Sequence, residues 1–355
     1  MPYRNIKYYT SIAWKLDEDS FSDSFYKEFA GMAWSGKDSS ISEDKEDWKN
    51  INQEDRELVM VGLVILKIYK HFVGSFCMPT LIDGLDYSYP TRKSILATIM
   101  DRLLSTHAFV ISNMFATFTS SETMTDIYNE LVGKDAFSDF LIHLKLNTNM
   151  LSTYNIQKNM QEGMEGDELI FNRDAYNKIL WQQLALVTLV IDIAYLMVFY
   201  GILTNATANR FKHSRESIQL MYRDVNIITT YLSTLAAEEF QYFDNDVKFE
   251  LEAWFKAKTD KAIFDTNNIL EQRKMRASVK DGLEKYLEYT LNKTLFKLGF
   301  NERYDTVKMP TEIEKAVLKP FNEDRYKFID RRKDTFISDK GIIKRWLNKI
   351  GRKIK

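Results

Sequence analysis

Residues 184–203 read Leu-Ala-Leu-Val-Thr-Leu-Val-Ile-Asp-Ile-Ala-Tyr-Leu-Met-Val-Phe-Tyr-Gly-Ile-Leu, twenty residues in which Asp192 is the single charge. Such a stretch is long enough to span a bilayer. It also has the composition of a helix enclosed on every side by other helices, which has no solvent face to make polar. Asp192 would lie deep in the hydrocarbon, at substantial cost, and no second stretch of this kind is expected in the chain. The segment is therefore read as the central helix of a large bundle.

Working outward, 355 residues are enough for one large domain or two ordinary ones, and 45% hydrophobic residues supply a sizeable core. Only 13 Gly and 5 Pro leave few places for hairpins, so long helices are the expected solution. Apolar residues at 59, 63, 66 and 69 recur at helical spacing. Candidate helices run over 53–77, 91–119, 122–132, 136–163, 171–204, 212–240, 245–266, 269–280 and 281–298, and Ser214-Arg-Glu-Ser-Ile-Gln reads as a helix start. There is no internal repeat, low-complexity linker or strand alternation. The expected organisation is one all-α domain over 1–320, opening with an arm (1–52) of two short helical pieces and a polar loop at 35–47, followed by a tail over 321–355. A net charge of -1 gives no global drive toward nucleic acid. One cysteine, Cys77, excludes an intrachain disulfide and fits a reducing, cytoplasmic compartment. The opening MPYRNIKYYTS lacks the apolar core of a secretory signal.

Two segments carry the functional reading. The first is Ser105-Thr-His-Ala-Phe-Val-Ile-Ser-Asn-Met-Phe115, where His107 is the one ligand-type side chain on its inner face. The second is Tyr222-Arg-Asp-Val-Asn-Ile-Ile228. Around them, in order, stand Ile12-Ala-Trp14, Trp34 and Trp48, Gly62-Leu-Val-Ile-Leu66, Phe199-Tyr200 and Asn292-Lys-Thr-Leu-Phe-Lys-Leu-Gly299. Together these resemble the radical-generating small subunit of class I ribonucleotide reductase, the class Ib branch most closely, over about residues 10 to 320. Between His71 and His107 the chain is about six residues longer than the class Ib pattern.

The resemblance implies a ferritin-like bundle in which two helices each give a carboxylate and two give Glu-x-x-His to a pair of metal ions. Carried over by motif, the first carboxylate position holds Lys67 and the first Glu-x-x-His holds Leu104 and His107. The next carboxylate position holds Ile191, beside Asp192, and the last motif holds Val225 and Ile228. The radical tyrosine position holds Ile111, and the tail tyrosine position holds Phe336, with Tyr326 nearby at a different offset. The expectation is a chain with no metal and no other cofactor, its former pocket packed with aliphatic side chains. Lys67, if core-facing, needs a partner such as Asp192 or Asp101. Tyr69, Tyr195 and Tyr222 are the available substitutes for a radical site. The family's relay of Trp, Asp and His falls on Trp34, Asp224 and His107, with Asp224 expected to hydrogen-bond between the other two; mutual satisfaction of buried polar groups is the preferred explanation, since a relay with no oxidant has nothing to carry.

At the other end, Ile342, Ile343, Trp346, Leu347, Ile350 and Ile354 line one face of a potential helix, with Lys344, Arg345, Lys349, Arg352, Lys353 and Lys355 opposite. The binding residues expected there are Ile343, Trp346, Leu347, Lys349 and Ile350, directed at an acidic protein or another anionic surface. The leading expectation is a non-catalytic partner or regulatory subunit in deoxyribonucleotide synthesis, not transmembrane. It would form a homodimer or a heterodimer with an active small subunit through Ser112–Phe118, or bind a large subunit. The alternatives are an active, metal-free reductase small subunit with a relocated radical, and a scaffold whose basic tail binds membrane or nucleic acid.

Overall fold

The computed structural model describes residues 20–36, 40–85, 90–132, 135–162, 171–206 and 210–318. The Ile12–Trp14 landmark, Tyr326, Phe336 and the tail helix lie outside the described residues. Helices α1 (Ser20–Gly31) and α2 (Lys45–Asn50) form the arm, with a 3-10 turn at Ile41–Asp44 inside the segment expected to be a polar loop. The body contains α3 (Gln53–Phe72), α4 (Met78–Gly84), α5 (Pro90–Leu104), α6 (Thr106–Phe118), α7 (Ser121–Val132), α8 (Asp135–Glu162), α9 (Arg173–Ala194) and α10 (Leu196–Asn205). It continues through α11 (Lys212–Gln241), α12 (Asn245–Gln272), α13 (Ala277–Lys297) and α14 (Thr311–Leu318). No strand occurs among the described residues. The architecture is the expected all-α, ferritin-like bundle.

The apolar stretch at 184–203 forms α9 and α10, at the centre. Helix α9 packs along α11 and is also met by α3, α8, α12 and α13, while α10 lies along α3 and α13. Its apolar perimeter is thus used up by neighbours: 94% of its most apolar window is buried. The expectation that no second such stretch exists does not hold, since Gln53–Gly84 and Thr91–Phe118 are also long and apolar enough to cross a membrane. Asp192 answers its burial with an ion pair. Its Oδ2 accepts a 2.7 Å hydrogen bond from Thr294 and lies 3.7 Å from Lys297 Nζ, which in turn donates to Thr229 Oγ1 at 2.5 Å.

Helix ends follow local chemistry. Asn52, Asn172 and Asp244 cap α3, α9 and α12 by accepting the backbone N–H three residues on, which satisfies a donor the helix leaves open. Helix α11 starts at Lys212, the expected bound, and is capped from outside. Asp44 accepts from the Ser214 N–H and hydroxyl, and Asp47 accepts from the Phe211 N–H, where the backbone is left-handed (φ 52°). This clamps the arm onto α11.

Three expected boundaries move. The helix over 91–119 breaks at Ser105, whose hydroxyl bonds back to the Asp101 carbonyl at 2.6 Å, a contact that bends helices. The long central helix breaks at Tyr195. No break occurs between 266 and 269. The chain turns instead at Lys274, left-handed at φ 53°, with Met275 N–H bonded to the Leu270 carbonyl and Lys274 N–H to Glu271. This is the hydrogen-bond pattern that usually recruits glycine after a helix, and Lys274 occupies it without a Gly signal in the sequence.

Residues Ser112–Phe118 spend their apolar side chains inward. Met114 and Phe118 are buried, Phe118 stacks on Trp48 at 4.6 Å, and Ser112 and Ala116 are left exposed. Replacing Lys297 with Met leaves Asp192 buried without its cation. The expected loss is roughly 3–5 kcal/mol in urea denaturation, much of it recovered when Asp192→Asn is added. Equal stability of the single variant and the parent would show the pair to be inert.

Candidate functional site

The site lies where the arm crosses α5, α6 and α11. Asp224 is fully buried on α11, and its Oδ2 accepts three hydrogen bonds: from Trp34 Nε1 at 2.7 Å, Arg102 Nη1 at 3.1 Å and His107 Nε2 at 3.2 Å. Its Oδ1 accepts from Arg223 Nη2 at 3.1 Å. Both arginines also donate to the Met32 carbonyl, fixing the backbone just before Trp34. On the far side of the imidazole, His107 Nδ1 lies 2.7 Å from the Tyr195 hydroxyl, at the break between α9 and α10. The four side chains form one hydrogen-bonded chain from the half-buried Trp34 indole to a phenol in the core.

The electrostatics select a single tautomer. Burial works against the Asp224 charge, but the His107 hydrogen bond and the Arg223 and Arg102 guanidiniums outweigh it and hold the carboxyl at about 2. Burial lowers the His107 pKa, only partly countered by Asp224, so the ring is neutral. A neutral imidazole has one N–H. It belongs on Nε2, facing an ionised acceptor, so Nδ1 carries the lone pair and accepts from Tyr195. Burial, with Asp224 adding to it, raises the Tyr195 pKa and keeps that proton on the phenol.

The structure brings Trp34, Asp224 and His107 together. Ile111, Ile191, Val225 and Ile228 are all buried in the same core. It does not bring Lys67 or Leu104 there. Lys67 is exposed, its amine 5.1 Å over the Phe115 ring. The α3 inner face runs through Leu63, Leu66, Tyr69, Lys70 and Val73, all buried, and Lys67 is rotated off it. The inward cation is Lys70, whose pKa is lowered to about 8 by burial, with Lys67 adding to the effect. Neither expected partner serves Lys67: Asp192 is held by Thr294 and Lys297, and Asp101 is exposed. Leu104 is half-buried against the π-turn Val73–Cys77, where a Cβ on Gly74 would stand 2.6 Å from its Cδ2. Sequence reasoning missed Arg102; its signal was an arginine five residues before His107, in a helix otherwise apolar on that side. Tyr195 was one of three candidates, and only contact geometry separates it from Tyr69 and Tyr222. Among the described residues, no group of three or more His, Cys, Asp or Glu side chains is arranged to hold a metal ion.

Comparison with known proteins now places the scaffold. The sequence model described as "Ribonucleotide reductase, small chain" matches residues 11–310. The chain belongs to that family. Among solved structures it is similar to the dimanganese(II) NrdF of Streptococcus sanguinis, with 15% identity and a TM-score of 0.65 over 86% of this chain and 98% of that one. It is also similar to the ribonucleotide reductase R2 subunit of Clostridium botulinum, with 15% identity and a TM-score of 0.63 over 85% and 89%. At these identities the likeness concerns the fold. No curated protein matches.

The pH response of this small-chain family member follows from His107. With its folded pKa below the ordinary 6.5, the unfolded state takes up a proton first as pH falls. Stability is therefore full above about 6.5 and declines below it, by at most about 1.4 kcal/mol per pH unit. Urea titrations from pH 7.5 to 5 should show this slope, and His107→Gln should flatten it relative to the parent. An unchanged slope would mean that His107 is not kept neutral.

Proposed function

We propose that this small-chain protein holds no dimetal centre and acts by binding protein partners in deoxyribonucleotide synthesis, in the cytoplasm, pairing with itself, an active small subunit or a large subunit. The observation that carries the reading is the state of His107, the one ligand-type side chain among the carried-over positions. Both its ring nitrogens are engaged by the protein, and Tyr195 takes the Nδ1 lone pair that a metal would need. At the other carried-over positions, Leu104, Ile191, Val225 and Ile228 offer no donor atom, whereas two metal ions in a core require several anionic oxygens. Lys70 adds a positive charge that acts on His107. These residues do not fit the metal pair that the family implies.

Metal analysis of protein expressed with added iron or manganese tests this. The expected result is no stoichiometric metal, and a filled site overturns the proposal. Ile191→Glu should cost several kcal/mol, because it buries an unpaired carboxylate; a well-tolerated substitution with new metal uptake would reveal a latent site.

One observation favours a second reading, that of a metal-free radical subunit. The Tyr195 phenol is placed to release its proton to His107 Nδ1 as an electron leaves for an external one-electron oxidant. Electron paramagnetic resonance separates the readings: a stable tyrosyl signal that disappears in Tyr195→Phe supports the second and removes the first.

A further inference from the structure

Two lysines among the described residues are buried, and their surroundings are opposite. Lys297 is 2% exposed, lies against Asp192 and donates to the Thr229 hydroxyl. Lys70, on the inner face of α3, is 8% exposed and makes no hydrogen bond or ion pair. A lysine with a buried stem is ordinarily matched by a carboxylate or carried out to water. Lys70 has neither in full. The charge that acts on it is that of Lys67, one turn earlier on α3 and of the same sign. The amine is nevertheless not sealed, because it keeps a small contact with solvent. The π-turn Val73–Cys77 begins three residues later, a distortion that recurs at functional sites.

An amine so placed holds its proton weakly. Burial, reinforced by Lys67, brings its pKa to about 8. Roughly a fifth of the molecules then carry an unprotonated amine at about pH 7.4, against roughly one in a thousand for an exposed lysine. An unprotonated amine is a nucleophile, and nothing in the relay or the core uses this one. We propose that Lys70 is a reversible carbamylation site, whose amine takes up carbon dioxide and whose carbamate is held by the charge of Lys67.

Burial and charge together select the electrophile. So little of the residue is exposed that a small uncharged molecule has the readiest access. In the reaction the Nζ lone pair attacks the carbon of carbon dioxide and a C–N bond forms. The π electrons of one C=O bond move to oxygen, and an N–H proton leaves to solvent. Amine and carbon dioxide become carbamate and a proton, with no oxidation or reduction. The product is an anion, so Lys67, which repels the ammonium form, attracts it. An aldehyde would instead give a neutral or cationic imine, which gains nothing from Lys67. The change also reaches the relay. As an ammonium, Lys70 lowers the His107 pKa; as a carbamate its effect on the imidazole has the opposite sign. The inference rests on α3 and goes beyond the proposed function. Metal in the core would leave the carbamate standing, and an unmodified Lys70 would leave the reading of the core untouched.

The test equilibrates the full chain with carbon-13 bicarbonate near neutral pH and reads the carbamate carbon by nuclear magnetic resonance. Alkylating the carbamate with a trialkyloxonium salt, followed by peptide mass analysis, locates it. The expected results are a carbamate on Lys70 well above the level of the exposed lysines, its complete loss in Lys70→Arg, and a several-fold drop in Lys67→Glu. The last variant reverses the neighbouring charge at an exposed position, where folding is not at stake. It therefore decides the matter with the trapping experiment if Lys70→Arg unfolds. An unmodified Lys70, labelling no higher than that of exposed lysines, or a carbamate indifferent to Lys67→Glu would overturn the proposal.

Discussion

The charge on Asp224 is the constraint from which the rest of the site follows. A carboxylate with no exposure to water is tolerable only when donors replace its hydration. Here they come from four directions: the arm through Trp34, α5 through Arg102, α6 through His107 and α11 itself through Arg223. The arm cannot leave without stripping the carboxylate of its shortest hydrogen bond. It is held independently at Asp44 and Asp47, which cap α11 from outside. Three of the four donors keep their hydrogens at any ordinary pH; only the imidazole has a choice, and the carboxylate makes it. Once Nε2 must present its hydrogen to Asp224, Nδ1 must accept, and the Tyr195 hydroxyl is where that requirement ends. One buried charge thus orients a side chain two hydrogen bonds away.

A second buried acid, Asp192, is handled differently. It sits in the most apolar segment of the chain and is matched by a cation from α13, reached through the hydroxyls of Thr294 and Thr229. Removing both charges and filling the space could leave stability unchanged, since buried pairs of this kind often do no better than apolar replacements. What the pair does impose is registration of α13 against α9 and α11, because Asp192, Lys297 and the two threonines meet in one arrangement only. Lys67 lies outside the core for a different reason: the phase of α3 turns it off the buried face, and its amine rests over the Phe115 ring.

Much of this was legible in the sequence, and what was not has identifiable causes. The all-α bundle and most helices follow from periodicity, because a long amphipathic or wholly apolar segment has few other ways to bury its surface. Trp34, Asp224 and His107 could be named from the family resemblance carried by the motifs around them, although only Asp224 lies well inside a long helix and Trp34 follows the end of α1. The breaks at Ser105 and Tyr195 could not be read, because a hydroxyl bonding its own helix and a half-turn distortion leave no composition signal. Lys67 and Lys70 lie three residues apart, and periodicity alone does not fix the phase of a face to better than that. Helix α8 was the hardest to phase: its outer row contains Asn149 and Thr153 and its inner row Thr148 and Asn155, so composition does not mark either face as the buried one.

The tryptophan–carboxylate–imidazole chain shows why the geometry of a relay is weak support for a relay. Every contact in it is also required by the rule that buried polar groups be satisfied. The same arrangement would therefore be stable in a protein through which no electron ever passes. What distinguishes the cases is the group at the inner end. A metal there would take the imidazole lone pair and couple the chain to an oxidant. A phenol there takes the same lone pair but holds its own proton tightly, because burial and the nearby Asp224 charge both oppose its ionisation. With Tyr195 in place the chain is closed at its inner end by a hydrogen bond, and Asp224, already satisfied by Trp34, Arg102 and Arg223, is left with no unmet demand for an ion beyond the ring.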